Sequence, residues 1–171
     1  MTGILVILLS SGPMMKSIDP EFERKAPIFI SLVFLISCFF SNAILKYMTR
    51  RGTFQLGTIT ICMCNLALTI LYALEVNAIA ILVIKTILLI MYGLTFGPLV
   101  WPYLPEVVPA RIIPLAQSMN WIIDCLTLSL PGIIIANAGN PWPLFLVFFI
   151  WDFFSIFVNH YILIETKQKS L

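Results

Sequence analysis

Apolar residues dominate this chain in five long stretches, at about residues 27–46, 54–74, 78–103, 112–136 and 142–164. A helix needs about 20 mainly apolar residues to cross a hydrocarbon core of about 30 Å, and each stretch reaches that length. The third carries Gly97-Pro98 within it but is long enough to cross around the break. Residues 3–15 form a shorter run interrupted by Gly12-Pro13, which reads as the tail of a helix and not as a crossing. The pattern predicts an all-α membrane fold: one polytopic helix bundle over residues 1–171 with five complete spans and a partial helix at 3–15. No internal repeat, low-complexity tract or soluble domain interrupts it.

Composition supports a lipid-facing surface. Hydrophobic residues make up 60% of the chain and charged residues 11%, against about half and about a quarter in soluble domains. The net charge of +2 comes without a basic block or an aromatic-interleaved basic stripe, so nucleic acid is excluded as a partner. Lys46, Arg50, Arg51, Arg111, Lys167 and Lys169 fall on one side if the spans alternate, against Lys16, Arg24 and Lys25 on the other. The excess places the Arg50-Arg51 loop, the 106–111 loop and the C-terminal tail in the cytoplasm. Met1–Leu9 is apolar but lacks a positive leader, so a cleaved signal peptide is not expected. Cys38, Cys62, Cys64 and Cys125 all lie in apolar runs, and the two-residue spacing of Cys62 and Cys64 suits neither a redox nor a zinc motif. They read as small apolar fillers.

The polar residues inside the runs carry the candidate chemistry. Gly97, Pro98, Pro102 and Pro105 break the third run, because each proline removes a helical donor and crowds the preceding turn. Broken helices in membranes persist where protein or water covers the freed carbonyls, as at transporter sites. Trp101 beside the break offers a flat face and one N–H donor, suited either to a sugar ring or to an interfacial aromatic belt. Asn120 and Asp124 are four apart and share a helix face. They suit recognition of hydroxyls or an interhelical hydrogen bond. Lys85, Asp124 and Asp152 are ionisable groups deep in the spans, and Lys85 is expected to be neutralised by one of the two aspartates; a proton-coupling carboxyl is the alternative. His160 sits one turn from the cytoplasmic end of the last run, as an interfacial residue. No phosphate loop, nucleophile triad or Cys/His metal pattern occurs; no enzyme activity, cofactor or metal is expected.

Several of these features in order resemble the second half of the sugar porters of the major facilitator superfamily. Gly97-Pro98, Trp101 and Glu106 match the family's Gly-Pro-rich tenth helix. Arg50-Arg51-Gly52 matches the basic pair after the eighth helix. Glu106, Pro109 and Arg111 match the loop before the eleventh helix, and Asn120-Trp121 the Asn-Trp within it. Glu165-Thr166-Lys167 resembles the signature closing the last helix. On this resemblance the five spans are helices eight to twelve. Trp101, Asn120 and Asp124 face substrate, while Arg50, Arg51, Glu106, Arg111 and Glu165 form a cytoplasmic charge network. The pattern departs from the family at Phe34, where an Asn is usual, and at Gly93, where many members carry an acid. The seventh helix's Gln-rich stretch has no counterpart. The resemblance implies transmembrane transport of a sugar or similar polar solute by a partial or truncated transporter-like protein, partnered by the lipid bilayer and a missing N-terminal lobe. The alternatives are a non-transporting structural subunit among other membrane subunits, and a half-transporter completed by a homodimer partner.

Overall fold

The computed structural model describes residues 6–7, 20–75, 78–97, 99–138 and 140–163, and among them the only regular structure is helical. Six helices follow in order: α1 (Pro20–Tyr47), α2 (Arg50–Ala73), α3 (Ala78–Thr95), α4 (Val100–Val107), α5 (Ile113–Ala138) and α6 (Trp142–Ile162). Val6 and Ile7 are also helical; the rest of the expected partial helix at 3–15 lies outside the described residues. Arg50–Ala73 and Trp142–Ile162 are each long and apolar enough to cross a membrane. Ile79–Thr95 and Val100–Val107, whose axes meet at 40°, make a third if the bent pair is one span.

Local chemistry explains the helix limits. The Thr49 hydroxyl accepts from the Gly52 N–H at 3.1 Å and caps α2, satisfying one of the donors a helix start leaves open. The α3 helix ends where Phe96 and Gly97 both donate to the Tyr92 carbonyl, at 2.9 and 3.0 Å. Leu99 then begins α4. Pro102 does not break the chain as expected: it sits in the first turn of α4, where a missing N–H removes no helical bond. The interruption is confined to the link between Thr95 and Val100, and Pro98 in that link lies outside the described residues.

Helix α2 occupies the middle of the bundle, packed most extensively on α6 and also on α3. Helix α1 packs on α3, and α5 rests mainly on α6. The core joins Ile30 of α1, Ile61 and Leu68 of α2, Leu88 and Leu89 of α3, and Phe145 of α6. A second cluster holds α5 to α6 through Leu128, Leu130 and Ile134 against Leu144 and Phe148. Two glycines let backbones approach: Gly57 of α2 faces Thr95 of α3, and Gly93 of α3 faces Ser37 of α1, the small-residue contact typical of helices in lipid. Hydroxyls on these helices, including Thr58, Thr69, Thr86 and Thr95, donate to carbonyls four residues back, as they must where water is absent.

The outward surface is as apolar as the interior. Phe39, Phe40, Ile70, Ile122, Leu126, Phe154 and Tyr161 are all exposed, on four different helices. So much exposed apolar area would aggregate in water; in hydrocarbon it is the solvated face.

Candidate functional site

The α3–α4 break is propped from one side by a ladder of rings. Phe34 of α1 meets Tyr92 of α3 at 6.1 Å between centroids. Tyr92 stacks on Phe96 at 5.8 Å, Phe96 contacts Phe54 of α2 at 5.4 Å, and Phe54 meets Tyr103 of α4 edge-on at 5.4 Å. Offset and edge contacts of this kind add directional attraction to the area they bury. Phe34, where the resemblance calls for an amide, is therefore the foot of this ladder. Gly97 backs onto α1: a methyl in place of its hydrogen would lie 3.4 Å from the Cys38 sulfur. Beyond the break, Trp101 is 49% exposed, with its ring open to whatever lies outside this surface.

On α5 the amide of Asn120 donates to Asp124 Oδ2 at 3.0 Å. Both residues are half-buried. The bond fixes the carboxylate and leaves its other oxygen, together with the Asn120 oxygen, as acceptors for hydroxyl groups. Asp124 is also an electrostatic neighbour of Tyr92 across on α3. Aromatic faces and fixed acceptors are the chemistry that binds a polyol. By contrast, a groove of about 450 Å³ between α2 and α3 is lined by Ala67, Ile70, Leu71, Ala80, Val83 and Ile84, with nothing to recognise a hydroxyl.

At one end of the bundle the charges converge. Arg50 is ion-paired with Glu106, joining α2 to α4. The Arg51 guanidinium donates to the His160 carbonyl, and Gln55 Nε2 lies 3.2 Å from His160 Nδ1. Two arginines in the first turn of a helix oppose its dipole. Here each has an acceptor, and for Arg51 that acceptor is one of the open carbonyls in the last turn of α6. Arg111 stands exposed in the turn before α5. Glu165, expected in the same network, lies outside the described residues.

Deep polar groups also lie between α2 and α6, where the sequence reading named Asp152 but passed over Asn65, Thr58 and Asn159. Asn159 Nδ2 donates to Thr58 Oγ1 at 2.7 Å, and Asn65 Nδ2 to Asp152 Oδ2 at 2.7 Å. Tyr72 stacks on Phe145 at 5.2 Å with 7° between the planes. Residues 58, 65 and 72 on one helix thus meet 159, 152 and 145 on the other, each step being seven residues. This is the antiparallel seam of a coiled coil. Lys85 of α3 is fully buried and sets its ammonium 5.6 Å from the Tyr72 ring centroid and 5.9 Å from that of Phe145, within cation–π range. The two aspartates expected to neutralise it are held by asparagines, Asp152 by Asn65 and Asp124 by Asn120.

Comparison with known proteins bears on the family. The family model described as "Sugar (and other) transporter" matches residues 1–171. Hexose transporter 1 of Plasmodium falciparum (isolate 3D7) is 24% identical over 179 residues, covering 99% of this chain; the chain spans 35% of that relative. An apolar helix bundle matched along its whole length by that model is an integral, multi-pass membrane protein of a transporter family and not of an enzyme family. The chain belongs to the sugar (and other) transporter family, within the major facilitator superfamily.

Proposed function

We propose that this chain supplies helices of the second lobe of a sugar carrier, with substrate meeting Trp101, Asn120 and Asp124. The observation that carries the reading is the Asn120–Asp124 pair: a fixed set of acceptors that is only half-buried, whereas the Asn65–Asp152 pair is sealed. An intramembrane carboxylate left accessible is costly unless it serves a ligand or a water-filled path. Trp101, half-exposed beside the α3–α4 break, adds the face on which a sugar ring stacks. Alternating access in such carriers rocks two lobes about a site between them, so the helices of the other lobe come from beyond the spans present here. The five apolar stretches are the crossings. The end bearing Arg50–Glu106 and Arg51–His160 is the cytoplasmic one, and these contacts tie α2, α4 and α6 together there.

Uptake of labelled hexose by cells expressing the protein, at matched surface abundance, tests the placement. Trp101→Ala should weaken uptake more than Trp121→Ala. Trp121 is also exposed, but it follows Asn120 directly and so points about 100° away around α5. Losing a stacking face costs on the order of 1–3 kcal/mol, by analogy with aromatic–base stacking, or roughly five- to a hundredfold in affinity. Uptake by Trp101→Ala equal to wild type removes the substrate from Trp101.

A further inference from the structure

Asn65 and Asp152 form a buried pair in which hydrogen bonds are missing in a telling way. Both side chains are sealed, at 0% and 1% exposure. Asn65 Nδ2 donates to Asp152 Oδ2 at 2.7 Å, yet Asn65 Oδ1 and Asp152 Oδ1, the remaining oxygens of the same two planar groups, have no donor. Two buried acceptors without a donor are costly, and a carboxylate sealed among helices is costlier still. One hydrogen on one of these oxygens satisfies both. We propose that Asp152 binds a resident proton, so that Asn65 and Asp152 form a closed carboxylic acid–amide ring. In that ring Asn65 Nδ2–H donates to Asp152 Oδ2, and Asp152 Oδ1–H donates to Asn65 Oδ1. The seam then carries no net charge at this rung, and both polar groups are complete.

The charged and titratable neighbours do not replace this proton: the N-terminal amine acts on Asp152 through its charge, yet Asp152 Oδ1 has no donor. On α2, the helix opposite, the closest thiol is Cys62, whose sulfur points to the Phe149 carbonyl at 3.9 Å. Arg50 and Arg51 stand at the far end of α2 with Glu106 and the His160 carbonyl. Tyr72 is two turns along α2, stacked on Phe145. Helix α5, the other helix packed on α6, carries Asp124, bonded to Asn120, and Cys125, which is exposed. Lys85 of α3 lies over the Tyr72–Phe145 rung, one heptad from the Asn65–Asp152 rung, and Asp152 Oδ1 receives no hydrogen bond from it. On α6 itself His160 lies two turns beyond Asp152, beside Gln55. The proposed ring does not depend on the orientation assigned to the Asn65 amide, because flipping it only exchanges the two bonds.

The inference predicts an unusual tolerance. Asp152→Asn keeps the ring, with the new amide donating where the acid did, and should unfold within about 2 °C of wild type. Asp152→Ala leaves the Asn65 amide without its partner and should lower the midpoint by roughly 4–8 °C. The exchange Asn65→Asp with Asp152→Asn should restore the midpoint. Infrared difference spectra of Asp152→Asn against wild type, with the purified chain in lipid at pH 7, read the proton directly. A protonated-acid carbonyl band should be present in wild type and lost in the variant. An ionised Asp152 gives only carboxylate bands at pH 7, so a wild-type spectrum with no acid band to lose in Asp152→Asn overturns the proposal. Because these readouts are structural and need no uptake, they stand or fall separately from the placement of substrate at Trp101.

Discussion

Gly93 is a position where a single added methyl should do marked local damage. A Cβ there would overlap the Ser37 hydroxyl, and it would lie 3.1 Å from Ser37 Cβ and 3.2 Å from the Phe34 carbonyl oxygen. Ser37 is 5% exposed, and its hydroxyl already donates to Phe34 O at 2.7 Å. Rotating it away sacrifices that bond in a buried site, about 1 kcal/mol. The carbonyl belongs to the backbone of α1 and yields only if the helix moves, an overpacking cost of about 1–3 kcal/mol. Against this, Gly→Ala favours a helix by about 1 kcal/mol. The net expectation for Gly93→Ala is a loss of about 2 kcal/mol, roughly thirtyfold in the folded-to-unfolded ratio. Gly97→Ala is the control: its added methyl meets Cys38 at an ordinary 3.4 Å, so it should be neutral despite lying nearer the break. Reversible unfolding in lipid or detergent measures both, and Ser37→Gly combined with Gly93→Ala should recover part of the loss. Gly93→Ala as stable as Gly97→Ala would refute the close approach of α1 and α3. The same geometry explains why no acid occupies position 93 in this chain: Ser37 and the Phe34 carbonyl fill the space.

Two further expectations concern the charged end. Arg50 and Glu106 are 27% and 37% exposed, so Glu106→Gln should cost under about 1 kcal/mol and the loss should fade as salt is added; exchanging the two charges should recover most of it, and a salt-independent loss of several kcal/mol contradicts a partly solvated pair. Tyr47 is 89% exposed beside the same turn, so Tyr47→Cys in a cysteine-free background should react with an impermeant thiol reagent only from the cytoplasmic side; reaction from the other face inverts the topology.

What could be read before the structure was what is local. Long apolar stretches set where α1, α2, α5 and α6 lie, because length and hydropathy suffice to define such a helix. The Asn120–Asp124 bond was legible for the same reason: a spacing of four puts both groups on one face. Gly97-Pro98 marked the break, whereas Pro102 misled, since a proline's effect depends on whether it falls inside a helix or in its first turn. Arg51 found a backbone carbonyl of α6, an acceptor that every residue carries and no side-chain pattern announces. The α2–α6 seam was hidden for a further reason. Helices apolar all round give no amphipathic face to align, and the only signal is a sparse one: Thr58, Asn65 and Tyr72 against Phe145, Asp152 and Asn159, each at a step of seven. Searching the apolar stretches for polar residues at heptad spacing would have found it.

The seam also sets an order of assembly. Asn65 and Asp152 are 87 residues apart, Thr58 and Asn159 are 101, and Arg51 and His160 are 109. Helix α2 therefore leaves the ribosome long before its partner and waits in the bilayer with an unanswered amide, while α6, the last described helix, arrives with the matching carboxyl. Contacts of such separation close late, after the loop entropy of everything between them has been spent. The described bundle is latched by α6, and a chain that stalls before residue 152 keeps every other described apolar helix yet cannot shut.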